Sequence, residues 1–376
     1  MKKAENLSGS QSDNELMLQT ILKAGEAHRY IIAVDAGEFV HIKALQNGID
    51  VIAKVSDITN NWEGVFDSPT GELGSEDIYL LSHAKTKYEI EIYPAQKFAD
   101  PGTYKIEIFQ KRKASIADKK WMTALTATQN AAKLRSKNET RKQSIEQYKT
   151  ALSLWKELKD DVQYASAMRS LGFVYIRENN YEKSLEIFHQ LLSQWKQIGD
   201  VRAEGFTHLI IGRIYDLQKN FTKSLEYNLS SLPYWKTAKD TDQESFVLMN
   251  IGNLYADLND KQKSIDFFEQ ALKINEQSKR ASIKAVILRD YATAMLSVGA
   301  FEKAILLYGQ SINQWQITVN KLEEAKTAVM LAAYFAEKNN KEKATQYYQH
   351  ALEIWKTLDE QNEMKKIQSA LDRLRK

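Results

Sequence analysis

Residues able to carry out chemistry are few in this chain, and their spacing argues against most reactions. The six histidines, at 28, 41, 83, 189, 208 and 350, are scattered and form no recognised metal-ligand spacing, so each is read as a packed or surface residue. The absence of cysteine excludes disulfides, thiolate zinc sites and a cysteine nucleophile in this chain. There is no P-loop, no glycine-rich dinucleotide fingerprint and no His-Glu-x-x-His. An acidic stretch, Asp57, Asp67, Glu72, Glu76 and Asp77, could gather oxygen ligands for calcium. Its spacing matches no EF-hand, and solvated loop carboxylates are the plainer reading. The expectation is a protein that is not an enzyme, with no catalytic residues, no metal and no cofactor.

What, then, do the elements position? Hydrophobic residues make up 43% and charged residues 27%, an ordinary globular balance. Net charge is +3, too dilute over 376 residues for a nucleic-acid groove. The N-terminus turns polar after Lys2 and Lys3, with no apolar stretch of a signal peptide, and no run is long enough to span a membrane. The chain as given is therefore expected to be cytoplasmic, or exported if an upstream signal has been removed.

Glycine and proline divide the chain. Three of four prolines and eight of fifteen glycines precede residue 103. There the apolar pattern has period two, giving six strand candidates: 28–35, 38–46, 49–57, 77–84, 88–95 and 103–110. Ala36-Gly37, Asn47-Gly48 and Pro101-Gly102 supply turn residues between them. A β-sandwich over 22–112 is expected, behind a disordered tail at 1–21. KRKASIADKK (111–120) then reads as an exposed basic linker.

Beyond it the sequence repeats every forty residues. Trp155, Trp195, Trp235, Trp315 and Trp355 share one column, with Asn275 in the missing row. Ser144, Ser184, Ser224, Ser264, Ala304 and Ala344 form a small-residue column. Tyr148, Phe188, Asn228, Phe268, Tyr308 and Tyr348 stand seven residues before the tryptophan. Ala132, Gly172, Gly212, Gly252, Ala292 and Ala332 form another column, followed three residues later by Tyr175, Tyr215, Tyr255, Met295 and Phe335. Such an internal repeat predicts helix pairs that bury their apolar faces only by stacking. Leu185, Phe188, Leu192 and Trp195 lie on one helical stripe, so the tryptophan is read as core between neighbouring pairs rather than as an exposed base-stacking ladder.

These columns resemble the tetratricopeptide repeat (TPR): Leu171-Gly172, Tyr175, Ser184, Phe188 and Leu191 fall at its signature spacing. HEAT-like pairs compete on period alone, but the small–aromatic order favours TPR. The proline that normally closes the second helix is replaced by Lys156, Lys196, Lys236, Glu276, Gln316 and Lys356. That lets the helix run longer. Long repeats with W-x-x-x-G-D at helix ends resemble those of kinesin light chain and of bacterial proteins with a CHAT (caspase-like) protease domain. The segment QNGIDVIAKVSD…PGTYKIEIFQKRKASIADK looks like the pre-peptidase-like β-sandwich that precedes TPRs in CHAT-type proteins. The protease itself would follow the repeats, and the given sequence ends without it.

The expected fold is multidomain and mainly α: a β-sandwich followed by a right-handed TPR α-solenoid over 113–376. Its pairs are 117–158, 161–198, 201–238, 241–278, 281–318 and 321–358, with a capping helix at 361–375. The resemblance implies a concave face lined by the first helix of each pair, with Arg169, Phe173, Arg213, Asn250, Asn253, Arg289 and Asp290 pointing inward. There Asn250 would hold a peptide backbone, since an amide both donates and accepts, and the arginines would attract carboxylates. The expected role is a scaffold for a protein or peptide partner. The alternative is the regulatory half of a CHAT-type system whose catalytic domain lies elsewhere.

Overall fold

The computed structural model describes residues 5–7, 18–58, 63–66, 73–96, 101–278 and 280–375. They fall into two compact units, Met1–Asn179 and Asn180–Lys376.

Among the described residues of the first unit, nine strands precede three α-helices. The strands are β1 (Glu5–Asn6), β2 (Leu18–Leu22), β3 (His28–Val34), β4 (Glu38–Asn47), β5 (Val51–Asp57), β6 (Glu63–Phe66), β7 (Leu73–Leu81), β8 (Thr86–Pro94) and β9 (Gly102–Lys113). They form two sheets, β1-β3-β8-β5-β6 and β2-β9-β4-β7, antiparallel except for the β1–β3 pair. The period-two pattern decides which face is buried: Ile32, Val34, Val51, Ala53, Val55, Ile90 and Ile92 in one sheet, Val40, Ile42, Ala44, Ile78, Leu80 and Ile106 in the other. Pro101-Gly102 is a close approach, since a Cβ on Gly102 would lie 2.6 Å from the Ile49 Cβ.

All six expected strands form, and β1, β2 and β6 are additional. Two of these revise the expected tail. Glu5 and Asn6 pair with Tyr30 and Ile31, Leu7 is buried, and β2 runs along β9 from Leu18↔Ile106 to Leu22↔Gly102. A two-residue strand carries no periodicity to read. A bulge between His41 and Ile42 of β4 leaves Phe109 of β9 without an opposite residue, and Phe109 is 59% exposed.

KRKASIADKK also differs from its expectation. Lys111, Arg112 and Lys113 complete β9 opposite β4, and only Ala114 and Ser115 separate it from α1 (Ile116–Leu134). Ser115 and Asp118 form a capping box, and Arg112 grips the Asp118 carboxylate at 2.5 and 2.9 Å. The Arg112 guanidinium, opposed by some burial and helped by Ser115, holds the Asp118 carboxyl down to about 2. On α1, Trp121 packs on Tyr79 at 4.1 Å and on Trp155 at 5.1 Å, and its Nε1 donates to Asp160. Lys111, Arg112, Lys113 and Lys119 are exposed but belong to a continuous strand-to-helix connection.

α2 (Arg141–Leu158) and α3 (Asp161–Arg177) complete this unit. A 3-10 turn at Asn138–Thr140 shifts the first row: Ala131 is fully buried and accepts from Ser144, while the column residue Ala132 is half-buried.

The second unit is a run of helices: α4 (Tyr181–Ile198), α5 (Val201–Leu217), α6 (Phe221–Thr237), α7 (Thr241–Asp257), α8 (Lys261–Ser278), α9 (Ala281–Ser297), α10 (Phe301–Ile317), α11 (Lys321–Glu337), α12 (Lys341–Thr357) and α13 (Gln361–Arg375). Most turns repeat one device. A left-handed residue ends a helix, as at Lys219, Lys239 and Asn259, and the next residue is an Asp or Asn; Asn220, Asp240 and Asn340 cap the following helix through their side chains.

The tryptophan column is core. Trp155, Trp195, Trp235, Trp315 and Trp355 are at most 3% exposed, and Asn275 is 1% exposed in the same column. Gly252 shows why the neighbouring column is small: a Cβ there would sit 3.2 Å from the Phe268 ring. α13 closes the array with Ile367 and Leu371 buried and Met364 and Leu374 packed beside them. Among the described residues, no helix is long and apolar enough to cross a membrane.

Candidate partner-binding groove

The first helices of successive pairs bury one side and leave a second side less buried. On α7, Leu248, Met249, Ile251 and Leu254 are buried, whereas Asn250 and Asn253 are half-buried. Forty residues earlier Arg213 on α5 holds the position of Asn253. Forty residues later Asp290 on α9 holds that of Asn250.

Three of the sequence-derived residues meet. Asn253 Nδ2 donates to Asp290 Oδ2 at 3.0 Å, and Arg289 Nε donates to Asp290 Oδ1 at 3.0 Å. Arg289 Nη1 continues to Glu323 Oε2 on α11 at 2.8 Å, and Lys326 donates to the other Glu323 oxygen at 2.7 Å. This chain ties α7, α9 and α11 together, and it leaves the Arg289 guanidinium already facing two carboxylates. Its half-buried setting makes those charge-assisted bonds stronger than surface pairs.

Arg213 and Asn250 differ. Arg213 is exposed, Asn250 is half-buried, and neither makes a hydrogen bond or ion pair with a described residue. Phe246, one turn before Asn250, is 41% exposed. Arg169 and Phe173 lie on α3 in the first unit, both half-buried and both already engaged in an interaction.

The part of Glu323 and Lys326 in this network was not legible in the sequence. Their columns run Gln163, Ala203, Gln243, Ile283, Glu323 and Ser166, Phe206, Phe246, Val286, Lys326, with no shared chemistry to mark them. At the far end of the first helices, burial and the nearby Asp216 raise the Asp257 carboxyl.

The acidic stretch divides between positions. Glu76 is buried and accepts from Gln46 at 2.8 Å, whereas its neighbour Asp77 accepts from His41 at 2.5 Å and from Ser75 at 2.9 Å. Asp57 accepts from Thr86 at 3.1 Å. Adjacent strand residues point to opposite faces, so Glu76 and Asp77 do not converge. Asp67 and Glu72 lie outside the described residues. Among the described residues no group of His, Cys, Asp or Glu is arranged to hold a metal ion.

Residues 245–278, which span α7 and α8, match the tetratricopeptide repeat family. The fold is similar to the apo form of RapI, at 15% identity and a TM-score of 0.50, over 68% of this chain and 97% of that one. It is also similar to a signal transduction ATPase with numerous domains (STAND) from Pyrococcus horikoshii that carries a tetratricopeptide repeat sensor. That likeness has 17% identity and a TM-score of 0.51, over 65% of this chain and 37% of that protein. No curated protein matches. The chain thus carries a tetratricopeptide repeat at 245–278, within a run of helices that has the fold of TPR-like arrays.

Proposed function

We propose that the protein is a non-catalytic interaction scaffold that holds an extended segment of a protein or peptide partner along its first helices. Asn250 would pair with a backbone amide of the ligand, Arg213 with a carboxylate, and Phe246 would offer an apolar contact. The observation that carries this reading is the contrast within one face. Asn253, Arg289 and Asp290 satisfy one another, while Arg213 and Asn250 keep their hydrogen-bonding capacity in hand. A self-satisfied network is suited to fixing helix spacing, and uncommitted polar groups are suited to a ligand. The fold shared with the STAND protein, whose repeat is described as a sensor, supports the same general role.

The test replaces Arg213 and Asn250 by alanine together. Surface substitutions of this kind cost under about 0.5 kcal/mol, so the melting curve should match the parent while a partner recovered by pull-down is lost. A double variant that melts normally and keeps every partner would show that this face is not the binding surface.

A further inference from the structure

On α5 the repeat places a titratable ring where the other rows place an apolar side chain. His208 stands in the column of Met168, Leu248, Leu288 and Ala328, all buried, and is itself half-buried. Its ring stacks on Tyr234 of α6 at 5.2 Å and lies 5.9 Å from Tyr227 of the same helix. His189 of α4 reaches the Tyr227 ring at 5.9 Å, and Tyr227 stacks on Tyr215 of α5 at 5.6 Å. Three consecutive helices therefore meet around one tyrosine, with an imidazole from two of them.

Only the neutral form of His208 suits this setting. A neutral imidazole donates from one nitrogen and accepts at the other, whereas an imidazolium donates from both. Nδ1 of His208 is buried with no hydrogen-bond partner among the described residues. A protonated ring would thus hold a buried N–H with nothing to receive it, which is costly for a charged donor. Around the ring, α6 contributes Tyr227 and Tyr234, phenols whose titration burial pushes upward. Glu204, one turn before His208 on α5, acts on Tyr234, and Glu226 of α6 acts on Tyr227. From α4 comes His189, a like charge when protonated. Neither imidazole has an ion-pair partner among the described residues. Burial, and then the charge of His189, hold the His208 imidazole below its ordinary value of 6.5.

We propose that the joint of α4, α5 and α6 is a pH-sensitive element, closed while His208 is neutral and loosened when acid forces a proton onto that ring. The sign follows from linkage. The folded state binds this proton less readily than the unfolded chain, so the stabilisation is present above the ordinary value and is lost as pH falls through the lowered one. The response lies just below neutrality, where histidine changes charge and ordinary carboxylates do not. Arg213 lies further along the same helix, so on the scaffold reading acid would also weaken the hold on a partner. The joint itself does not depend on that reading.

Nuclear magnetic resonance and hydrogen exchange on the full chain test this without any partner. Histidine ring signals, assigned with His189→Gln and His208→Leu, should show His208 titrating below 6.5, with its midpoint moving up in His189→Gln. Hydrogen exchange, corrected for the intrinsic pH dependence of amides, should show protection in α5 falling several-fold from about pH 7 to about pH 5. Protection in α9 should hold over the same range. Leucine is what α7 and α9 carry at this position, so His208→Leu should fold and keep α5 protected at both pH values. His208→Met, which copies α3, is the second variant should leucine disturb the fold. A His208 midpoint at or above 6.5, or the same loss of α5 protection in a folded leucine or methionine variant, would overturn the proposal.

Discussion

At the scale of single residues, the tryptophan column shows both what spacing reveals and what it hides. The forty-residue interval and the stripe Leu185, Phe188, Leu192, Trp195 were enough to place the indoles in the core, and all five are there. Trp195→Ala should leave a cavity and cost about 3–5 kcal/mol in thermal unfolding; an unchanged transition would contradict the buried stripe. Hidden from sequence was the fate of the indole N–H. Trp155 Nε1 donates to Thr128 at 3.1 Å, whereas Nε1 of Trp195, Trp235, Trp315 and Trp355 is buried with no acceptor among the described residues. The column repeats while its surroundings do not. A double-mutant cycle with Thr128→Val and Trp155→Phe should give a coupling near 1 kcal/mol, the net worth of one such bond. Additive costs would mean the contact contributes nothing. The contact among Asn253, Arg289 and Asp290 was legible in part: register sets their positions on neighbouring first helices, but their mutual bonds depend on rotamers that register does not set.

At the scale of elements, helix ends were the readable part. Asp and Asn recur at about twenty-residue intervals, and the structure uses them as caps after left-handed residues. Val319 breaks the pattern. It is β-branched, adopts φ 54°, and is 58% exposed between α10 and α11. Left-handed backbone is costly for such a residue, so Val319→Gly should raise stability by about 1 kcal/mol; a lower melting temperature would refute the strain. One helix contact was not readable at all. Glu324 of α11 is fully buried and accepts from Gln316 of α10 at 2.9 Å and Lys321 at 2.8 Å, with His350 of α12 at 3.0 Å. Burial pushes its carboxyl up, but the Lys321 and Gln316 bonds outweigh it and hold it below the ordinary glutamate value. The sign follows: the folded state binds this proton less readily, so the stabilisation is present above the ordinary value and fades as pH falls through the lowered one. Glu324→Gln should flatten the acid limb of a melting temperature–pH profile; a parallel limb would exclude the carboxylate as its source. The unread strands β1 and β6 failed for the opposite reason, being too short to show a period.

At the scale of the whole chain, the change from period two to helical spacing near residue 111 correctly marks where strands give way to helices. It does not mark the end of a compact unit, which lies after Asn179. Composition reports local backbone preference, while the unit is set by packing: Tyr79 on Trp121, Trp121 on Trp155, and Arg112 on Asp118. Limited proteolysis should therefore spare KRKASIADKK in the parent chain, despite its basic exposed residues. Arg112→Ala with Asp118→Ala should expose it to trypsin at Lys111, Lys113 or Lys119. Rapid cleavage there in the parent would show that the strand-to-helix connection opens on its own.

The repeat also separates two kinds of instruction. In α7, Met249, Ile251 and Leu254 hold the packing, while Asn250 and Asn253 face outward between them at positions that vary along the repeat: Asn130, Ser170, Ile210, Asp290 and Met330 in one column, Lys133, Phe173, Arg213, Thr293 and Ala333 in the other. Each pair is then like a socket of constant gauge with an interchangeable face. On the scaffold reading proposed above, selection can rewrite what a single row recognises, one substitution at a time, without retuning its neighbours' cores. Two chains with the same buried columns can share an architecture and have no ligand in common.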